Sequence, residues 1–424
     1  MTTNTLLTTS LILNEAQRIL HNNLVFAKGV NREYSSQFNK TGAKIGATVN
    51  VRNPNQYYVR TGATLTAQNT VESTVPVTVN RQWGVDISFT SSELALSLDD
   101  FSKRILAPAL AKVASRIDLE GLQLSNNIYN CVGTPGITPG TSGGSATGLA
   151  QYNAPICFLN AGMMLDNSAC PRDENRRVVM NPAAHAQSVS GLSGLFNSQD
   201  LLGEQYRKGV LGSALGFEFA MDQNINPLTS PALTNGTTSA VLVNNTNTIA
   251  ITGGGVSLTV PAGAVFTVAG VYSVNPENQQ STGLLQQFVN TSAVALDAVG
   301  GAGTLTVSPT PILSGATVAN GTVTTATGDF SATNGAAVTW VTNVSGSGVT
   351  SPQNMAYHSD AFTLATVDLP VPEGVDFADR REHEGISMRI VRAYDINNDA
   401  YPCRIDVLGG WAVLRPQLAC RILG

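Results

Sequence analysis

No lysine or arginine occurs between Lys208 and Arg380. The middle of that gap, residues 229–352, is built mainly from Gly, Thr, Ser, Asn, Ala and Val, and its only charges are Glu277, Asp297 and Asp329. Ion pairs cannot organise such a segment, so apolar packing and neutral hydrogen bonds must hold it together. Short apolar-polar alternations run through it, at Ala240–Val243, Thr248–Ile251, Val256–Val260, Val265–Val268 and Leu305–Val307. Gly, Asn and Pro turns separate them at about 8–12-residue spacing, which predicts a small antiparallel barrel or sandwich. No strict repeat period is present. Ordinary mixed sequence with charges and aromatics lies on both sides. A composition break at each end of a domain-sized segment predicts an insertion, 229–352, into one discontinuous host made of 1–228 and 353–424.

The chain has 424 residues, of which 42% are hydrophobic and 12% charged, against a usual charged share of about 25%. Low charge combined with this hydrophobicity is not the signature of disorder. It suits a β-rich protein with a neutral polar surface, or one whose surface is covered by copies of itself. A formal net charge of -5 argues against a dedicated nucleic-acid binder, which would carry a basic face. Cys131, Cys157, Cys170, Cys403 and Cys420 are odd in number and show no C-x-x-C spacing, so reduced thiols are expected. The N-terminal residues lack a basic stretch before their apolar ones, so no signal peptide is read. No run of about 18 apolar residues predicts a membrane span.

In the host, apolar residues at three- and four-residue spacing predict a helix over Ser10–Gly29. Lys44–Arg60 and Val71–Phe89 alternate with period two and predict a long two-stranded arm around a small polar tip. A hairpin of that length is marginal alone in water, so it should rest on a partner. Phe101, Ile105, Ala109, Val113, Ile117, Leu124 and Ile128 predict a long helix over 98–131, about 45 Å long at about 1.5 Å per residue. Pro108 should kink it or mark its true start. Helices near Ala154–Asp166 and Pro182–Leu192, and strands at Arg176–Asn181 and Phe217–Met221, follow. Met388–Tyr394 and Leu408 back to Cys403 read as paired strands around the turn Asp395–Asp399. Trp411–Ile422 reads as a last strand pair broken at Pro416.

Reactive chemistry is sparse. Gly140-Thr141-Ser142-Gly143-Gly144 matches G-x-S-x-G, but the hydrolase elbow needs a strand before the serine and a helix after it, and this match lies in a Pro/Gly linker. No phosphate-cradling glycine motif occurs. His21, His185, His358 and His383 lie far apart without metal-ligand spacing. Arg380-Arg381-Glu382-His383-Glu384 reads as a solvated loop or an inter-subunit salt-bridge site. The sequons at Asn235, Asn290 and Asn320 are what an Asn/Thr/Ser-rich segment produces by chance.

The order of elements is N-terminal helix, long hairpin arm, long helix, α/β middle, inserted β-domain and C-terminal strands. This order resembles the major capsid proteins of tailed phages with the Hong Kong 97-like fold. The inserted segment narrows the resemblance to coat proteins similar to that of salmonella phage P22. Residues Pro261–Pro276, Gly283–Val289 and Gly303–Pro309 look like that family's inserted domain. Asn354–His358 with Asp360-Ala361-Phe362 resembles the return into the capsid core, and Gly385–Arg389 and Arg404–Gly410 resemble its last strands.

The resemblance implies an α+β capsid fold: an N-arm (1–42), an extended β-hairpin loop (43–90), a spine helix (98–131), an A-domain part (150–228), the all-β insertion (229–352) and closing A- and P-domain strands (353–424). It implies a non-enzymatic protein that self-assembles as hexamers and pentamers into the icosahedral shell of a tailed bacteriophage. The shell would be assembled in the host cytoplasm around packaged double-stranded DNA, with scaffolding and portal proteins as partners and neither cofactor nor membrane. Arg52, Arg60, Arg81 and Trp83 on the arm are candidates for contacts with a neighbouring subunit, with Arg380, Arg381, Glu382 and Glu384. Lys103, Arg104, Lys112 and Arg116 face DNA, or else pair along the helix with Asp99, Asp100, Asp118 and Glu120. In some relatives an arm lysine forms an isopeptide bond. No lysine lies between Lys44 and Lys103, so that cross-link is not expected through this arm. A secreted β-rich adhesin or surface-layer protein is the alternative reading.

Overall fold

The computed structural model describes residues 9–35, 38, 46–55, 57, 62–65, 67, 72–90, 107–141, 148–192, 211–278, 280–311, 323–325, 334–344, 346–375, 377–383, 385–398 and 400–424. The chain divides into two compact units. One comprises Met1–Arg52, Thr74–Leu122 and Phe362–Leu414; the other comprises Asn53–Ser73, Gln123–Ala361 and Arg415–Gly424.

In the first unit the 14-residue strand Ala400–Val413 is the axis of a five-stranded antiparallel sheet. Arg81–Thr90 pairs along one of its edges, from Gly409↔Arg81 to Ala400↔Thr90. Ile386–Arg392 and Phe362–Val367 share the other edge, and Phe377–His383 pairs outside Ile386–Arg392. Two sequence expectations change here. Among the described residues the arm ribbon pairs Thr48–Arg52 with Thr74–Thr78, and the chain beyond Val79 leaves it to join the main sheet. The Arg380–His383 stretch is an edge strand, not a loop.

Helix α1, Thr9–Asn23, packs beside that edge strand, and Gln17 Nε2 donates to the Arg381 carbonyl at 2.7 Å. An edge carbonyl is thereby satisfied without another strand. Helix α2, Ala107–Leu122, carries Pro108 in its first turn, where the missing N–H costs nothing. It ends at Leu122 and a 3₁₀ turn, Gln123–Asn127, follows, so the α-helix stops short of the expected residue 131. Residues 98–106 of that expectation lie outside the described residues.

The second unit holds two layers of sheet. One is mixed, in the order Cys131–Val132, Ala419–Leu423, Val349–His358, Arg176–Met180, Phe217–Met221, Ser213–Ala214. The strands flanking Pro416 therefore do not pair with each other. Ala400–Val413 belongs to the first unit's sheet, whereas Ala419–Leu423 lies between Val349–His358 and Cys131–Val132. Helices α3, Ile156–Asn167, and α4, Pro182–Leu192, belong to this layer.

The other sheet closes on itself. Val265–Val274 pairs with Ser281–Asn290, which pairs with Gly303–Ser308, then Thr248–Thr252, Gly236–Thr238 and Ala337–Trp340, which returns to Val265–Val274. Six antiparallel strands thus close into a barrel, and a seventh, Val323–Thr325, pairs with Val265–Val274 beside them. Period-two burial along Thr248–Thr252 and Gly303–Ser308 sends Ile249, Ile251, Leu305 and Val307 inward. They meet Phe266, which lies 5.9 Å from Phe288 and 5.4 Å from Trp340 between ring centroids. The long hairpin changes register between Thr267 and Tyr272, and Gly270 in that bulge takes φ +81°, a conformation that favours glycine. Ala240–Val243, expected as a strand, is a loop that sends only Leu242 into the core.

Candidate assembly surfaces

The sequence-selected residues separate on folding. Arg52 ends the ribbon strand and is exposed. Trp83 is 5% exposed, its ring lies against Gly409, and its Nε1 donates to Glu120 Oε2 at 3.0 Å. Its indole is therefore used inside its own subunit. Glu120 also receives Arg116 Nε at 2.9 Å and has Arg81 Nε 3.9 Å away. Arg116 thus makes the i,i+4 pair, and both arginines stay exposed around it. Lys112 is exposed one turn earlier on α2. Asp118 is not a surface partner: it is buried, and its two oxygens accept the Val25 and Ala27 amides at 2.8 and 2.9 Å.

Arg380 reaches Asp368 at 3.4 Å and donates to the Leu369 carbonyl at 3.2 Å. Arg381 is half-buried and Glu382 is exposed. Arg60, Lys103, Arg104, Glu384 and Ser142 lie outside the described residues. Sequence reasoning missed Asp406, which is buried and binds Arg389 at 2.7 Å and Arg404 at 3.0 Å. Alternation gave no signal for it, because Asp406 shares the phase of exposed Arg404 and residues 405–410 are buried without a period.

Where the barrel meets the mixed sheet, the second unit is tied by a neutral amide pair and by one buried guanidinium. Gln287 Oε1 accepts the Cys131 N–H and its Nε2 donates to the Cys131 carbonyl, doing for one residue what a neighbouring strand would do. Around this pair, Tyr129, Cys131, Val265, Val289 and Leu423 form one apolar cluster. Arg421 is fully buried and gives Nη1 to the Gly263 carbonyl at 2.8 Å and to Gln353 Oε1 at 3.2 Å. Burial pushes its pKa down, and the adjacent Cys131 thiol opposes that shift. Arginine starts so high that it stays charged.

All five cysteines are free and buried, and burial pushes their pKa values up, to about 12 for Cys157 and about 11 for Cys170 and Cys403. They are protonated, unreactive thiols. Among the described residues no three potential metal ligands come together, and no helix is long and apolar enough to cross a membrane. The Asn290 sequon is closed off, because its side chain is buried and donates to the Pro261 and Ser292 carbonyls.

A family model described as P22 coat protein, gene protein 5, matches residues 1–424. The chain belongs to that family. It is a major capsid protein that forms the icosahedral shell of a tailed phage, and the adhesin alternative falls. The coat protein is also similar in structure to a chain of Mycobacterium phage Che8, at 13% identity and TM-score 0.43, covering 94% of this chain and 90% of that one. Similarity extends to the capsid of cyanophage P-SCSP1u, at 9% identity and TM-score 0.41 over 90% and 83% of the two chains. It extends also to the capsid of Ralstonia phage GP4, at 10% identity and TM-score 0.38 over 90% and 84%. None of the curated proteins compared matches the coat protein.

Proposed function

We propose that the coat protein builds its shell through a Hong Kong 97-like host, and that residues 229–352 are an inserted domain carried on the outer surface. The observation that carries this reading is a closed barrel whose parent segment contains no cation. Without cations it has little affinity for a phosphate backbone, which disfavours the DNA side of the shell. The arm ribbon reaches across a neighbouring subunit, a role supported by Leu65, which is 83% exposed near its tip. Arg52 and Arg81 on the arm side, and Arg380 and Glu382 on the edge strand, contribute polar inter-subunit contacts. Lys112 and Arg116 are placed to meet packaged double-stranded DNA. Scaffolding and portal proteins assist assembly in the host cytoplasm, and the finished protein resides in the virion. Its role is structural, without catalysis.

The test is accessibility in intact particles. A hexahistidine loop inserted at the exposed turn residue Asn245 should let whole DNA-filled particles bind nickel resin. Capture only after particle disruption would overturn the outward placement.

A further inference from the structure

The second unit holds a cavity of about 150 Å³. Its walls come from the residues before Cys131–Val132, the end of α3, three barrel strands and the turn at Pro416. Three of its lining side chains, Tyr129, Asn130 and Gln286, are polar and more than nine-tenths buried. Each keeps one polar atom without a partner. Asn130 Nδ2 donates to the Gln417 and Ala419 carbonyls at 3.3 and 3.2 Å, which leaves its Oδ1 to accept from elsewhere. Gln286 Nε2 donates to the Gln287 carbonyl at 2.7 Å, which leaves its Oε1 in the same position. No hydrogen bond among the described residues uses Tyr129 Oη. Burial pushes the Tyr129 pKa up, so the phenol stays neutral and can donate as well as accept. None of the three atoms is sealed from water, so the cavity is where a partner reaches them.

These side chains are held before anything binds. The Tyr129 ring packs with Cys131, Val265, Val289 and Leu423, and hydrogen bonds fix both amides. Groups ordered in advance lose little conformational freedom on binding. The rest of the wall sets the chemistry. No lining residue is charged, so an ion would enter without a counter-charge. Met164, Val274 and Pro276 add apolar surface, against which a water molecule lacks the roughly two to four polar partners it needs. A wholly apolar guest would cover that surface but leave the three polar atoms unmet, at about 1–3 kcal/mol each. A neutral ring with hydroxyls on its edge and C–H groups on its faces meets both demands. A cavity of this size takes one six-membered ring.

We propose that this cavity is a binding site for a polyol of monosaccharide size. Asn130 Oδ1 and Gln286 Oε1 accept from its hydroxyls, Tyr129 Oη donates or accepts, and Met164, Val274 and Pro276 pack on its C–H face. Acceptors outnumber donors in the site, so it selects a guest rich in hydroxyl donors. A ligand of about twelve non-hydrogen atoms held this way should bind with a Kd of roughly 1 mM. The site belongs to the second unit by itself and does not depend on which side of the shell the barrel faces.

The experiment titrates the unassembled full chain, carrying isotope-labelled methionine methyl groups, with D-glucose and with maltotriose up to about 0.1 M, well above the expected Kd. Glucose stands for a free solute and maltotriose for the end of a longer glycan. The Met164 methyl signal, assigned through Met164→Leu, should move and saturate with at least one of them, while that of Met388, buried in the first unit, stays in place. Tyr129→Phe removes the hydroxyl and keeps the ring in its cluster, and should weaken the binding ~fivefold or more. A Met164 signal that neither sugar moves would mean a water-filled cavity only and would overturn the proposal. Equal affinity in Tyr129→Phe would place the binding elsewhere and overturn it too. Should Tyr129→Phe misfold by circular dichroism, the wild-type titration decides, because Met164 and Met388 report on the two units separately.

Discussion

A Cβ on Gly121 would lie 2.7 Å from Trp411 Cζ2 and 2.8 Å from Phe26 Cδ1. That close approach lets α2 settle onto the stacked Phe26–Trp411 pair. Gly121→Ala should therefore destabilise the first unit by about 1–3 kcal/mol despite alanine's better helix propensity; urea unfolding followed by tryptophan fluorescence in a Trp340→Phe background measures it, and a gain in stability would mean that the close approach is not needed. Three residues earlier, Asp118 holds the Val25 and Ala27 amides. Asp118→Ala leaves both donors without their acceptor and should cost roughly 2–4 kcal/mol in the same measurement. The role of Asp118 was legible in the sequence. Ala114, Ile117 and Gly121 place it on the buried side of the helix, and counting charges as i,i+4 partners overlooked that face. Trp83 was the opposite case: its aromatic ring suggested a contact, but only the register of Arg81–Thr90 against Ala400–Val413 sets it over Gly409.

Elements were legible where their period was undisturbed. Pro182–Leu192 and Phe217–Met221 form as expected, and Thr248–Thr252 and Gly303–Ser308 contain the alternations that announced them. Ala240–Val243 alternates equally well yet gains no strand partner, because pairing is decided by distant residues that periodicity does not see. The absence of cations from the barrel segment, and so of ion pairs within it, has a measurable consequence. Hydrogen-exchange protection of Val265–Val274 in the full chain should be nearly equal at ~0.05 M and ~1 M sodium chloride; a tenfold or greater loss of protection at high salt would contradict a neutral barrel. In the mixed-sheet layer the opposite chemistry operates beside α3. Burial alone would raise the Asp166 pKa, but hydrogen bonds from Arg172 and Arg176 outweigh it and hold the carboxyl below its usual range. A lowered folded-state pKa stabilises at pH above the ordinary carboxylate value, and that stability is lost as pH falls through the lowered one. Wild type should thus melt above Asp166→Asn near neutral pH, and the gap should close on acidification below about pH 4; a gap independent of pH would remove the ion pairs from the account.

On the scale of the molecule, the break in composition carried the most information. It marked a segment that supplies no cation of its own: the barrel core is apolar, and its junction to the mixed sheet uses the Gln287 amide and a guanidinium, Arg421, from outside the segment. Topology at long range was not legible. The strand Ala419–Leu423 slots between Val349–His358 and Cys131–Val132, some 290 residues away in sequence for the last pair, and no local pattern encodes that. Family membership makes this chain a shell protein, and the proposed arrangement is a shell of these subunits with the cation-free barrel facing outward. The direct test is a cryo-electron microscopy reconstruction of particles assembled from the full chain. A closed icosahedral shell is expected, with one barrel per subunit protruding from the outer surface and none projecting into the lumen. Open sheets or fibres, or barrels lining the interior, would contradict it.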